Sequence, residues 1–298
     1  MKINTVPPSL YKYLPPRRAF DVLKNLRIRF SQVSVLNDAD EFRPPYKGVA
    51  SREEIEKTVR ERFPLKYPNE YAEAYRRLPV DEADALINRM VPEWANKVEA
   101  DYEKSIKRIY EELNRNLGIL SLSETPTSRL MWSFYSDGGR GFLIEWNTND
   151  VWFNAKTADN DSFRHLRPVQ YVADRKPKYL LATSDDEMLY TKVSEWDFEK
   201  EWRIIRGFND AVEKAKPDSY GTDVLLFDIP PSAIKSIVFG YRTTIELENE
   251  IREMVGAKLE LSHVIFQRAV REANGHIEIN PSIVDCAVIS TIGREPLK

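Results

Sequence analysis

Apolar positions recur along the opening of the chain in two rhythms. Leu10-Tyr11-Lys12-Tyr13-Leu14 is a short extended run, Ala19-Phe20-Asp21-Val22-Leu23 has helical spacing, and Leu26-Arg27-Ile28-Arg29-Phe30 alternates with period two. Strand, helix and strand are predicted in that order. Val35-Leu36-Asn37-Asp38-Ala39-Asp40-Glu41-Phe42, followed by Pro44-Pro45, predicts a structured loop, because Asn and Asp bond their own backbone there.

Residues 49–117 hold no glycine, are dense in both signs of charge, and predict a helical insertion punctuated by Pro64, Pro68, Pro79 and Pro92. Trp94, Val98, Tyr102, Ile106, Ile109 and Leu113 recur at steps of three and four, which predicts one last helix with a single apolar stripe. From Gly118 the pattern shortens. Gly118 to Ser123 and Gly141 to Trp146 read as strands, with helical spacing from Arg129 to Ser136 and the turn Asp137-Gly138-Gly139 between them. Further strands are predicted at 169–172, 202–205, 224–227 and 234–239, with a helix from Asp185 to Glu199 running into the second of these. A helix from Ile245 to Val255 and a hairpin about Asn274-Gly275 form a C-terminal extension over 241–298. Many short strands with interspersed helices predict one α+β domain over 1–298, with a mixed, mostly antiparallel core and the insertion at 49–117.

Composition bounds what such a domain can do. Hydrophobic residues make up 42% of the 298 and aromatics 11%, enough to build an ordered core. The formal net charge of -3, from 44 basic and 47 acidic residues, supplies no global field toward a nucleic acid or an anionic membrane. Cys286 stands alone, and with three scattered histidines it cannot assemble a typical zinc shell, so no metal is expected. The stretch Met1 to Pro8 has no apolar signal core and no run of about 18 apolar residues occurs, so a cytoplasmic location without a membrane span is expected.

Phosphate-cradling glycine loops, paired metal histidines and a Gly-x-Ser-x-Gly elbow are missing from the sequence. Tryptophan, tyrosine and carboxylates instead gather in three places: Tyr11-Lys12-Tyr13, Met131 to Tyr135, and Glu195 to Arg203. In the third, Glu195 and Glu199 would share a helix face, whereas Glu201 falls where helical spacing gives way to strand, held by two rigid elements. The plainer alternative pairs Glu199 and Glu201 with Lys192, Lys200 or Arg203 as surface charges and gives Trp196 and Trp202 to the core. Trp132 and Tyr135 could form one stacking face or be ordinary core. Alternation places Lys12 on the opposite strand face from Tyr11 and Tyr13. Asn37, Asp38 and Glu41 read as loop-capping groups, and His165 and His263 as structural or exposed.

Taken in order, Leu10-Tyr11-Lys12-Tyr13, Ile28 to Ser31 with Asn37-Asp38-x-x-Glu41, Leu122-Ser123 with Met131-Trp132-Ser133-x-Tyr135 and Gly141 to Ile144, and Trp196-x-x-Glu199-x-Glu201-Trp202-Arg203-Ile204-Ile205 resemble the uncharacterised bacterial family catalogued as domain of unknown function 2971. The sequence departs from that pattern in two places. Ala39-Asp40 stands where the family usually has Pro-Phe, and Phe134 where it has a histidine.

The layout also resembles, more distantly, the ADP-ribosyltransferase fold and its DNA-modifying toxin branch. That resemblance implies NAD as substrate, Glu201 as catalytic carboxylate with Glu199 in support, and a nucleotide site drawn from Tyr11, Lys12, Tyr13, Trp132, Tyr135 and Arg140. Lys12 would occupy a His/Arg position and Tyr135 the middle aromatic one. The acceptor would be a nucleic acid or a protein, in a toxin or phage-defence setting. Two other functions stay open: a nucleotide- or partner-binding sensor without turnover, and a hydrolase using Glu199 and Glu201 as a pair.

Overall fold

A computed structural model describes residues 5–282 except 39, 67, 160, 219 and 220. Cys286 lies outside the described residues. The chain opens with β1 (Ser9–Leu14) and β2 (Arg27–Arg29), joined by a 3-10 turn at Pro16–Arg18 and a π-helical segment at Phe20–Lys24. β3 (Tyr46–Gly48) precedes α1 (Arg52–Lys66), α2 (Pro68–Arg77), α3 (Val80–Ala100) and α4 (Tyr102–Asn116). β4 (Leu117–Ser123), α5 (Arg129–Tyr135) and β5 (Phe142–Asn147) follow as strand, helix and strand. Next come β6 (Arg167–Pro168), β7 (Gln170–Val172), β8 (Lys178–Tyr179), α6 (Asp185–Leu189) and β9 (Thr191–Val193). The chain continues through β10 (Glu201–Gly207), β11 (Glu213–Ala215), β12 (Val224–Asp228) and β13 (Ile234–Phe239). α7 (Ile245–Gly256), β14 (Ile265–Arg271) and β15 (Ile277–Pro281) close it. The fold is α+β. No helix among the described residues is long and apolar enough to cross a membrane.

The chain divides into two compact units, one of residues 1–31, 118–169 and 195–298, the other of 32–117 and 170–194. Unit 1 is built on an eight-stranded sheet in the order β15-β14-β13-β5-β1-β4-β10-β6, beside a three-stranded sheet β11-β12-β2. Pairing is antiparallel for β1 with β4 and with β5, for β5 with β13 and for β10 with β6, while β13 and β14 run parallel. The C-terminal helix and hairpin belong to this unit, and β14 and β15 form one edge of its sheet. Gly275, with φ 83°, takes the left-handed turn position that Asn-Gly announces.

Alternation divides the large sheet into two faces. Leu10 and Leu14 of β1, Leu120 and Leu122 of β4, Ile144 of β5 and Ile204 of β10 all belong to the larger core. On the other face Tyr13, Leu143 and Val238 form a smaller core under Trp132 of α5.

Unit 2 carries the helical segment. Ala83, Ile87, Val91 and Ala95 line one buried face of α3, packed against α1 and α2. That packing carries α3 straight through Pro92, outweighing the roughly 3 kcal/mol that an interior proline costs. Only Pro68 and Pro79 mark helix boundaries as expected.

Two predicted helices are corrected. The run from Trp94 to Leu113 is broken at Asp101 (φ −95°, ψ 4°), where α3 ends and α4 begins; α4 buries no residue fully, so nothing forces its stripe into line with that of α3. The stretch from Asp185 to Glu199 is α6, then β9, then a 3-10 helix over Ser194–Glu199. Three residues per turn put Glu199 over Trp196 and away from Glu195, so Glu199 is buried while Glu195 is exposed.

The tightest joint in unit 1 is at Gly141. A Cβ there would run into the Leu14 carbonyl oxygen, while the Gly141 carbonyl accepts from Gly240 N at 2.9 Å and Thr243 Oγ1 at 2.6 Å. Gly141→Ala is expected to lower stability by about 2–3 kcal/mol, read as a lower urea midpoint at unchanged slope.

Candidate functional site

The junction between the 3-10 helix and β10 concentrates the acidic groups of the third motif. Lys200, with φ 42°, makes the left-handed step that turns one element into the other. Ser123 Oγ donates to the Glu199 carbonyl at 2.6 Å and Glu124 N to the Lys200 carbonyl at 3.1 Å, so the end of β4 clamps this step. Trp202 Nε1 completes the clamp by donating to Glu124 Oε1 at 2.6 Å.

Glu199 is 4% exposed, and its carboxylate accepts a hydrogen bond from the Tyr135 hydroxyl. Glu201 is 3% exposed, and both its oxygens accept from one guanidinium, from Arg203 Nε at 2.6 Å and Nη2 at 2.9 Å. Residues two apart on a strand share a face, which makes this side-on fork possible. Pairing with Arg203 was one of the alternatives, but the pair is buried, not at the surface. Trp202 and Ile204 point into the larger core, so Glu201 and Arg203 lie on the face that carries Tyr11 and Tyr13.

On that face a polar row crosses four consecutive strands at one level. Register sets Ser236 of β13 opposite Glu145 of β5, Glu145 opposite Tyr11 of β1, and Tyr11 opposite Ser123 of β4. Glu145 accepts from Ser9 Oγ at 2.8 Å and Lys235 Nζ at 2.7 Å through Oε1, and from Ser236 Oγ at 2.6 Å through Oε2. Burial raises the Glu145 carboxyl, but the bonds from Lys235, Ser236 and Ser9 outweigh it and hold the group below its ordinary 4.5. Sequence reasoning passed over this cluster. Its available signal was one carboxylate in the otherwise apolar run Phe142-Leu143-Ile144-Glu145-Trp146.

The other candidates are placed less uniformly. Tyr13 is buried, donates from its hydroxyl to the Thr125 carbonyl at 2.7 Å, and meets Trp132 edge-on at 5.2 Å. Trp132 is wholly buried, with Nε1 donating to the Pro126 carbonyl at 2.8 Å, so of its two readings the structure gives core. α5 lies against the sheet on the side of Trp132; the exposed ring of the motif is Phe134, 6.0 Å from Phe198. Lys12 falls on the larger-core face, where its Nζ donates to the Ser121 carbonyl at 2.9 Å, so it is not brought to the row. Arg140 is exposed and donates to the Asp137 carbonyl at 3.2 Å in the turn after α5.

In unit 2, Asp38 Oδ1 accepts from Asp40 N at 2.9 Å, as a loop-capping group should. Glu41 differs: it is buried 3.5 Å from Lys192 Nζ. In unit 1, His263 shares a hydrogen bond of 2.9 Å with the Ile234 carbonyl. Among the described residues no group of three or more His, Cys, Asp or Glu is arranged to hold a metal ion.

Fold and site together define an α+β protein whose mixed, mostly antiparallel sheet carries a buried polar row on one face. A family model described as Protein of unknown function (DUF2971) matches residues 131–204, a span that includes Tyr135, Glu145, Glu199, Glu201 and Arg203. No curated protein and no solved structure matches the chain.

A carboxyl held below its ordinary value stabilises the fold above that value and stops doing so as pH falls through the lowered one. Glu145→Gln should therefore cost about 1–2 kcal/mol at pH 7 and close to nothing near pH 2, measured as urea midpoints at the two pH values.

Proposed function

We propose that unit 1 is an enzyme of the ADP-ribosyltransferase type that takes NAD as donor substrate and modifies a nucleic acid or a protein. The observation that carries this reading is the Glu201 carboxylate, held by both arms of Arg203 at the first residue of β10, on the sheet face of Tyr11 and Tyr13. Breaking the bond between nicotinamide and ribose lets nicotinamide leave with the electron pair and builds positive charge on the sugar. A fixed anion beside that carbon stabilises the charge as it develops, as a carboxylate does in glycoside hydrolysis. The acceptor's nucleophile then bonds to the same carbon, and the proton it sheds passes to Glu199, which Tyr135 orients. Lys12 takes no role, since its ammonium is held on the opposite face. NAD consumption of this kind suits a toxin or a phage-defence protein.

A second reading, a nucleotide-binding module without turnover, is favoured by one feature. Glu201 and Glu199 both already accept hydrogen bonds from Arg203 and Tyr135, an arrangement that holds shape as well as it holds a reacting group.

Incubation with labelled NAD, alone and with nucleic acid or protein acceptors, separates the two. Native protein should release nicotinamide, and Glu201→Gln should do so roughly 100-fold more slowly or worse. Equal inactivity of both rules out the enzyme, and tight binding of NAD without release selects the module.

A further inference from the structure

One buried charge in unit 1 is unlike the rest. Glu201 meets Arg203, Glu145 meets Lys235, and Glu248 meets Arg252 and Arg268. Arg206 is 9% exposed and, among the described residues, forms no ion pair; its one hydrogen bond there runs from Nη2 to the neutral Trp152 carbonyl. Its Nε is buried and meets no acceptor. Two residues beyond Ile204 on β10, the side chain enters the larger core, where the Trp152 ring at 4.5 Å and the Phe30 ring at 5.5 Å face the guanidinium.

The carboxylates of this neighbourhood are engaged by another cation. Asp210 accepts from Arg164 Nε at 3.2 Å and Nη2 at 3.1 Å. Asp161 lies 3.7 Å from Arg164 Nη1 and receives the backbone N–H groups of Thr157, Phe163 and Arg164. Burial accordingly lowers the Arg206 guanidinium from its ordinary value more than Asp210 restores it, and the like charge of Arg164 adds to the lowering. A methionine would fill this part of the core without burying a charge, so packing does not account for an arginine here.

The donor edge left over has a defined geometry. Earlier on the same strand, Nε and Nη2 of Arg203 together hold both oxygens of Glu201. In Arg206 the same two nitrogens are divided, with Nη2 on the Trp152 carbonyl and Nε without an acceptor. Trp152 is half-buried on the three-residue 3-10 turn Val151–Phe153 and stacks at 5.9 Å on Trp146, whose buried Nε1 also lacks an acceptor among the described residues. Two buried donors thus border one tryptophan. A water molecule would satisfy either N–H but would leave the charge of Arg206 uncompensated.

We infer that Arg206 anchors an oxyanion site in unit 1, taking the carboxylate or phosphate group of a small ligand on Nε and Nη2 as the Trp152 carbonyl turns aside. The site lies on the sheet face opposite Glu201 and Arg203, so it stands apart from the NAD chemistry proposed for them.

Tryptophan emission, taken as the difference between the native protein and Trp152→Phe, reports on this turn. Acetate and inorganic phosphate, each titrated against sodium chloride at fixed ionic strength, should change it saturably in the millimolar range, and the urea midpoint should rise with the same anion. Response to acetate alone marks a carboxylate ligand, response to phosphate a phosphate-bearing one, and either upholds the site. Phosphate also stabilises proteins by exclusion from their surface, so the decisive reading is the difference from Arg206→Met, in which the saturable response should vanish. Should Arg206→Met not fold, Arg206→Lys keeps the charge without the side-on pair of donors and should bind the anion at least about tenfold more weakly. No saturable response in the native protein, or an equal response in the variant, overturns the inference.

Discussion

A carboxylate buried in a β-sheet loses several kcal/mol of hydration that only a close counter-charge returns. In unit 1 that condition is met within one strand, by Glu201 and Arg203 two residues apart on β10. The pair sets the geometry around it. With Trp202 turned into the larger core, Glu201 must face the other side, and the chain before it takes the left-handed step at Lys200 to arrive there. Ser123 and Glu124 then receive that step on the end of β4. Glu199, one residue before the turn, is thereby delivered to Tyr135 of α5.

The two faces of the large sheet follow from this division. One is apolar and fills with leucine, isoleucine and aromatic side chains from every central strand. The other is split, with Tyr13, Leu143 and Val238 packed under Trp132 and, one level along, the polar row from Ser236 to Ser123. Polar groups in such a row are tolerated because each buried member has found a partner, and half-satisfied rows are costly. The functional proposal draws on this satisfied, rigid setting, since a group that must meet a developing charge gains from being fixed beforehand.

Much of this was legible in the order of residues. A period-two run marked β2, short strand-like runs marked β1, β5 and β13, helical spacing marked α5 and α7, and Asn274-Gly275 marked the last hairpin, because local pattern and tertiary need agree there. The position of Glu201 at a strand entrance was also readable, as was the separation of Lys12 from its flanking tyrosines. What could not be read depended on partners distant in sequence. Glu145 acquires its meaning from Ser9 and Ser236, 136 and 91 residues away. The Lys235 bulge leaves no periodic trace, since one extra residue only shifts the alternation it interrupts. The false helix over 185–199 arose because a short strand and a 3-10 turn together mimic 3.6-residue spacing. Whether Trp132 was a stacking face or core stayed open, because helical spacing identifies a face without saying what covers it.

The claim that the Glu201–Arg203 pair organises this face is tested most directly by a double-mutant cycle in urea, using Glu201→Met, Arg203→Met and the two together. The account predicts that each single replacement costs about 3–5 kcal/mol by taking one side of a buried charged fork from the other, and that the double replacement recovers most of that loss. A double variant whose loss equals the sum of the two singles would contradict it.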